Sequence, residues 1–312
     1  VNRKFFIILV AWLIVMMSGC TPAGSTTGPT AATTEQTTAT TAWQDQHTLG
    51  TWWWNAQFIR TETDRDLRLQ FLQDEGVSEI YLYYGGVVWD KYYRQFIAAC
   101  QTRGIRVAAL GGDAGWLSDE GFAGYQRWLA RIAQYQADAS ESEKFYGLHL
   151  DFEPGQNPEY AKDPSAMAGQ VSRVYDLGRQ FSDEHALIFE ADVSMWIDDP
   201  EHLMPDGAEQ VALGEYIARR VDTLSIMAYR DTAREQYQSA LPMIRIARQY
   251  NRKVIMGSET GQSTEAEFVS YFEEGKAVLQ KEQVRLIGLM DKEDVEYGLA
   301  VHYVESWFEL KD

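Results

Sequence analysis

Between residues 50 and 302, eight short runs rich in β-branched and aromatic residues alternate with amphipathic stretches. The runs are Gly50–Trp54, Glu79–Tyr84, Arg106–Gly111, Gly147–Glu153, Leu187–Val193, Thr223–Tyr229, Val254–Glu259 and Gly298–His302. Helical spacing of apolar residues runs through Asp64–Glu75, Tyr92–Gln101, Phe122–Ala137, Ala166–Ser182, Ala208–Arg220, Tyr237–Tyr250 and Glu265–Lys281. Strict β/α alternation demands a parallel sheet whose faces are covered by helices. A doubly wound open sheet would need a glycine-rich turn after its first strand, and here that strand runs into Trp52-Trp53-Trp54-Asn55. The expected fold is therefore α/β, a single-domain (β/α)8 TIM barrel over residues 47–312.

Residues 1–20 read as an export signal. Arg3 and Lys4 precede an apolar stretch, Phe5 to Met17, that is too short to span a bilayer as a helix. Met17-Ser18-Gly19-Cys20 resembles the lipobox of bacterial lipoproteins, which implies lipidation of Cys20 and its exposure as the mature N-terminus. Residues 21–46 are threonine-rich with almost no large apolar side chains, the composition of a tether that cannot bury enough surface to fold. The expected location is outside the cell, on the outer face of the cytoplasmic membrane, or in the periplasm or outer membrane of a two-membrane cell. The net charge of −18 argues against nucleic acid and anionic membrane surfaces as partners and suits neutral or cationic ligands. Cys100 is the only other cysteine, so once Cys20 is lipidated no internal disulfide can form; it sits in an apolar helical pattern and reads as a core thiol.

A barrel of this type places its chemistry at the C-terminal ends of its strands. The first run ends in Trp52, Trp54 and Asn55, the second in Tyr83 and Tyr84, and Asp113 closes the third. The fourth supplies Asp151 and Glu153, the fifth Asp192, and the sixth Met227, Tyr229 and Arg230. Glu259 ends the seventh and His302 the eighth, with Trp307 soon after. Acids and aromatics thus accumulate at one rim, and indole or phenol faces there are suited to stacking on pyranose rings.

The fourth run is the most telling. In Gly147-Leu148-His149-Leu150-Asp151-Phe152-Glu153, strand alternation sends His149, Asp151 and Glu153 to one side and the apolar residues to the other. A parallel strand buried on both faces is normally apolar throughout, so three ionisable groups on one face require a use or a partner. Pro154 stops the strand with Glu153 at its tip. The fifth run repeats the pattern with Glu190, Asp192 and Ser194. Carboxylates crowded in this way raise the affinity of at least one for its proton, which is how a carboxyl is kept as an acid. A purely structural network, with the carboxylates paired to Arg230 or His149, is the competing interpretation.

These residues resemble those of the family 18 glycoside hydrolases, the chitinase and endo-N-acetylglucosaminidase group. That family carries Asp-Gly-x-Asp-x-Asp-x-Glu on its fourth strand and often Met-x-Tyr on its sixth. Tyr146-Gly147-Leu148-His149-Leu150-Asp151-Phe152-Glu153 and Met227-Ala228-Tyr229 align with the two motifs. Gly147, Asp151 and Glu153 are retained, while Tyr146 and His149 replace the first two aspartates. The resemblance implies that Glu153 protonates the glycosidic oxygen and that Asp151 orients the substrate's own acetamido group for attack on the anomeric carbon. Tyr229 would support that attack by a hydrogen bond. It implies an oligosaccharide or cell-wall glycan containing N-acetylglucosamine as the ligand. Trp52, Trp54, Tyr83, Asp113, His149, Asp192, Met227, Arg230, Glu259, His302 and Trp307 are the expected sugar contacts.

Two other readings use the same residues. A retaining glycosidase could pair Glu153 with Glu259, with the two carboxyls about 5–5.5 Å apart. A non-catalytic barrel could hold sugar on the same aromatics and acids. No cofactor and no metal are expected. Neither His-Glu-x-x-His nor paired cysteines occur, and His149, Asp151, Asp192 and His302 are the nearest approach to a ligand set. No Gly-x-Ser-x-Gly elbow or phosphate loop is present.

Overall fold

The first four barrel strands are Leu49–Trp53 (β1), Glu79–Tyr83 (β2), Arg106–Gly111 (β3) and Gly147–Leu150 (β4). Ile188–Ser194 (β5) is followed by a hairpin, Leu203–Asp206 (β6) and Glu209–Ala212 (β7), and then by Thr223–Met227 (β8), Lys253–Glu259 (β9) and Tyr297–His302 (β10). In this computed structural model, which describes residues 47–197 and 202–312, eight of these strands close into a parallel barrel in the order β1-β2-β3-β4-β5-β8-β9-β10. The fold is a (β/α)8 barrel wrapped by helices. The signal, the tether and Cys20 lie outside the described residues. Among the described residues no helix is long and apolar enough to cross a membrane.

Each of the eight expected strands is present, with ends shifted by a few residues. β4 stops at Leu150, three residues short of Glu153. The chain nevertheless stays extended, because the Asp151 amide still donates to the Gly111 carbonyl at 3.0 Å. Pro154 then opens a short 3-10 turn. A side chain at Gly112 would bring its Cβ to 1.7 Å from the Asp151 carbonyl oxygen, so that residue must lack one for the tip of β4 to sit where it does.

Two expected helices are corrected. Residues 208–220 were expected as one helix, but Glu209–Ala212 pairs antiparallel with Leu203–Asp206, and only Leu213–Ala218 is helical. Gly207, at φ +64°, makes the tight turn between the two strands, and that pairing outcompetes a helical start. Residues 265–281 hold only a short 3-10 turn, Glu267–Val269, before Lys276, where the α-helix Lys276–Met290 begins after Gly275 at φ +88°. The segment ahead of it folds over the end of β9 instead. There Tyr271 N donates to the Glu259 carbonyl at 2.9 Å and the Ser270 hydroxyl to the Gly261 carbonyl at 2.5 Å.

Alternation divides the core in two. Outward residues such as Trp53, Leu148, Leu150, Phe152, Phe189 and Val193 join one large cluster between sheet and helices. A second cluster fills the barrel itself with Trp52, Tyr81, Ala108, Leu110, Ile255 and Ala300. At the N-terminal end of the barrel, buried Glu79 is held by Arg106, Lys253 and the Thr48 hydroxyl, so the floor is a paired carboxylate rather than an aliphatic layer.

Phe152 is 1% exposed and lies 5.9 Å from the Trp116 ring and 5.7 Å from that of Tyr175. Phe152→Ala should lower the unfolding free energy in urea by about 3–5 kcal/mol. A loss below about 1 kcal/mol, the range of a surface change, would put Phe152 on the other face of the strand and overturn the alternation.

Candidate active site

β4 and β5 run side by side with His149 in register with Glu190. Asp192, two residues further along β5 on the same inward face, stands one step nearer the mouth. His149 is fully buried between the two carboxylates. Its Nδ1 is 3.1 Å from Glu190 Oε2 and its Nε2 is 2.9 Å from Asp192 Oδ1. The ring stacks on Tyr81 with centroids 3.9 Å apart. The Trp52 indole donates to Asp192 Oδ2 at 2.9 Å, and the Tyr146 hydroxyl to Glu190 Oε2 at 3.1 Å. Burial alone would strip the proton from His149, but Asp192 and Glu190 outweigh it and push its pKa up to about 10.

Nearer the mouth stand Asp151 and Glu153. Burial, and then the negative charge of Asp192, push Glu153 up to about 7, against the opposing pull of Ser194, His302 and Gln156. The Ser194 hydroxyl donates to Glu153 Oε2 at 3.3 Å and the Gln156 amide to Oε1. Asp151 is raised well above the usual carboxylate range by burial, with Asp192 and Glu153 adding to it and His149 opposing. Its Oδ1 is buried with no hydrogen-bond partner. A cavity of about 10 Å³, the scale of one water, adjoins Glu153, Asp192, Ser194 and Trp196.

The opposite wall comes from β9 and β10. Glu259 Oε1 accepts the amides of Thr260 at 2.8 Å and Gly261 at 2.6 Å, and its Oε2 lies 2.6 Å from His302 Nδ1. Trp54 donates its indole N–H to His302 Nε2 at 3.1 Å. An indole can only donate, so this contact needs His302 neutral, with its hydrogen on Nδ1 toward Glu259. Burial lowers the basicity of His302, but the Glu259 carboxylate more than offsets it and raises the pKa; taking up that proton would set two N–H groups against each other and release Trp54. The Tyr229 ring lies 5.8 Å from that of His302. Burial and then Glu259 push the Tyr229 phenol well up, so it stays a hydrogen-bond donor.

The described structure brings together Trp52, Trp54, His149, Asp151, Glu153, Asp192, Tyr229, Glu259 and His302 in and above the barrel. Trp52 is 1% exposed and lines the interior, whereas Trp54 and Tyr83, with ring centroids 5.9 Å apart, form a half-buried pair at the rim. Met227 ends β8 in register with Ser194. Arg230 turns to the Tyr229 carbonyl and the Met195 sulfur, pairs with none of the inner carboxylates, and lines a surface cleft of about 550 Å³ with Phe268. Asp113 is exposed and caps the turn Ala114–Leu117 through the Gly115 amide at 2.7 Å. Trp307 is buried outside the barrel against Phe71, at 5.3 Å between centroids, and has no place on the rim. Of the other aromatics at strand ends, Tyr84 and Trp116 also belong to the outer core.

Sequence reasoning passed over Tyr81 and Gln156. Period-2 spacing from Glu79 through Tyr81 to Tyr83 is the signal that would have put Tyr81 inside the barrel. Gln156 carries no such signal, because the turn after Pro154 sets its direction. Among the described residues no group of three or more His, Cys, Asp or Glu side chains is arranged to hold a metal ion.

The eight-stranded parallel barrel is an architecture shared with solved glycoside hydrolases. The chain is similar to a plant class V chitinase mutant from Cycas revoluta in complex with (GlcNAc)3, at 12% identity and a TM-score of 0.52 over 84% of this chain and 96% of that one. It is similar to the PgaB glycoside hydrolase domain from Bordetella bronchiseptica, at 11% identity and a TM-score of 0.51 over 84% and 95%. It is also similar to the spore cortex-lytic enzyme of Bacillus megaterium, at 10% identity and a TM-score of 0.50 over 84% and 73%. At these identities the likeness is one of fold. No protein-family model and no curated protein sequence matches the chain.

The raised groups share one sign in their effect on stability. His149 binds its proton up to about pH 10 when folded, against an ordinary 6.5, so its contribution is complete below 6.5 and lost as pH rises through 10. Glu153 and Asp151 are raised from 4.5 and 3.8, so their contributions are likewise full at low pH and lost on the way up, that of Glu153 through about 7. Chemical denaturation at constant ionic strength should therefore show unfolding free energy falling between about pH 5 and pH 10. A flat or rising profile would contradict the protonation states assigned here.

Proposed function

We propose that this chain is an exported, lipid-anchored glycoside hydrolase that cleaves glycans containing N-acetylglucosamine, with Glu153 as general acid. One observation carries this reading: Asp151 and Glu153 follow one another from the end of β4 at the barrel mouth, and the Tyr229 phenol, just past the end of β8, lies close enough to feel the charge of both. A carboxyl with a pKa of about 7 is suited to donating a proton at neutral pH. The barrel architecture shared with chitinases, among them one in complex with (GlcNAc)3, supports the same reading. The leader sequence and Cys20 support export and anchoring.

In this scheme the substrate's acetamido oxygen attacks the anomeric carbon as Glu153 gives its proton to the departing glycosidic oxygen. Asp151 holds the acetamido N–H, and the Tyr229 hydroxyl donates to the acetamido group. Water then opens the cyclic intermediate, and the Glu153 carboxylate takes the proton that the water loses. The retaining alternative is weaker, because both Glu259 oxygens are occupied by His302 and by two backbone amides, which suits an anchor better than a nucleophile. A barrel that binds sugar without cleaving it would use the same mouth.

Hydrolysis of a panel of aryl glycosides and chito-oligosaccharides should show cleavage of N-acetylglucosaminides, with kcat/KM falling as pH rises through about 7, where Glu153 loses its proton. Glu153→Gln should reduce turnover by a factor of about 10²–10⁴ while sparing affinity. Cleavage restricted to sugars without an acetamido group would move the nucleophile to Glu259. Binding without turnover would leave a carbohydrate-binding protein.

A further inference from the structure

His149 has no polar atom left for a ligand: each ring nitrogen faces a carboxylate, Tyr81 covers one face, and the side chain has no exposed surface. A neutral imidazole has one N–H and could satisfy only one of two carboxylates. The other groups in contact sharpen the choice. Asp192 Oδ2 receives the Trp52 indole, which can only donate, and Glu190 Oε2 receives the Tyr146 hydroxyl as well as His149. Both carboxyls therefore already accept from a donor other than His149, the pattern of two carboxylates around an imidazolium. We propose that Glu190, His149 and Asp192 form a positioning unit in which the His149 imidazolium holds Asp192 as a fixed carboxylate beneath Asp151 and Glu153, and that this fixed charge adds to burial in keeping the protons on both mouth carboxyls. The inference deepens the reading of Glu153 as a general acid and rests on it for its catalytic meaning.

Burial is the first source of that effect, and among the charged groups few compete with Asp192. His149 is faced by Glu190 and Asp192 from β5, Trp52 from β1, Tyr81 from β2 and Asp151 just past the end of its own strand, while Tyr146 reaches Glu190. Glu153 is faced by Asp192 and Ser194 from β5, His302 from β10 and Gln156 from its own turn, and it influences Asp151 in return. Of these, Asp192 carries the sign that favours a proton on Glu153, whereas the Ser194 and Gln156 donors oppose it, as does His302 once it takes up a second proton. With both His149 nitrogens engaged on β5, Asp151 has no partner behind it, and its buried Oδ1 is unbonded. Asp151 is thereby left facing the substrate side throughout the reaction. His149 and Asp192 act here through the carboxyls above them, without touching the sugar.

The test is NMR of the full-length protein in detergent, with nitrogen-15 in its histidines and carbon-13 in its carboxyls. In the unaltered protein His149 should give two N–H protons and imidazolium nitrogen shifts from pH 6 to at least pH 8. A neutral His149 at pH 7 would overturn the proposal without recourse to any variant. Asp192→Asn should lower the Glu153 titration midpoint by about 1 unit or more. Where turnover is measured, the alkaline limb of kcat/KM should move with it. A Glu153 midpoint unmoved by Asp192→Asn in a folded protein would also overturn the proposal. The expected shifts in a protein that cleaves no glycan would support the positioning unit and count against the hydrolase reading alone.

Discussion

A closed parallel barrel leaves its interior no access to bulk water, so any charge placed there has to be matched within the barrel. The structure meets that constraint by setting His149 between Glu190 and Asp192, with the neighbouring strand register bringing one cation into reach of both anions. The unit leaves a net negative charge a short step below the mouth, where Asp192 adds to burial in raising the proton affinity of Asp151 and Glu153. At the other end, Glu79 with Arg106 and Lys253 closes the floor by the same device. The barrel therefore carries paired polar groups along its length.

Aromatic side chains do the packing that branched aliphatics usually perform in such barrels. Trp52 and Tyr81 fill space and also shape the charges, since Trp52 donates to Asp192 and Tyr81 lies flat on His149. At the rim the same chemistry turns outward, with Trp54 and Tyr83 half exposed. Trp54 is tied through His302 to Glu259, so an aromatic rim residue after β1 and an acid two strands away at the end of β9 belong to a single hydrogen-bonded chain.

Much of this was legible from the sequence because strand periodicity is a local property. The eight strands, the inward direction of His149, Asp151 and Glu153, and the matching face of Glu190, Asp192 and Ser194 all follow from period-2 alternation. Partners across the barrel did not follow from it. That Glu259 would meet His302 rather than Arg230 depends on β9 pairing with β10 and on Arg230 folding back onto its own backbone. Trp307 and Asp113 lie just beyond strand ends, where a helix or a tight turn, not alternation, sets the direction of the side chain. The β6–β7 hairpin was hidden because its second strand also carries residues that suit a helix, and only its pairing with Leu203–Asp206 decides between the two.

Proton transfer from Glu153 requires a sugar seated over the end of β4. The direct measurement is a crystal structure of the Glu153→Gln protein with a chito-oligosaccharide bound. The account predicts a glycosidic oxygen within hydrogen-bond distance of residue 153, with the neighbouring acetamido group between Asp151 and Tyr229. A sugar held on Trp54 and Tyr83 with its acetamido group turned away from Asp151 would contradict it.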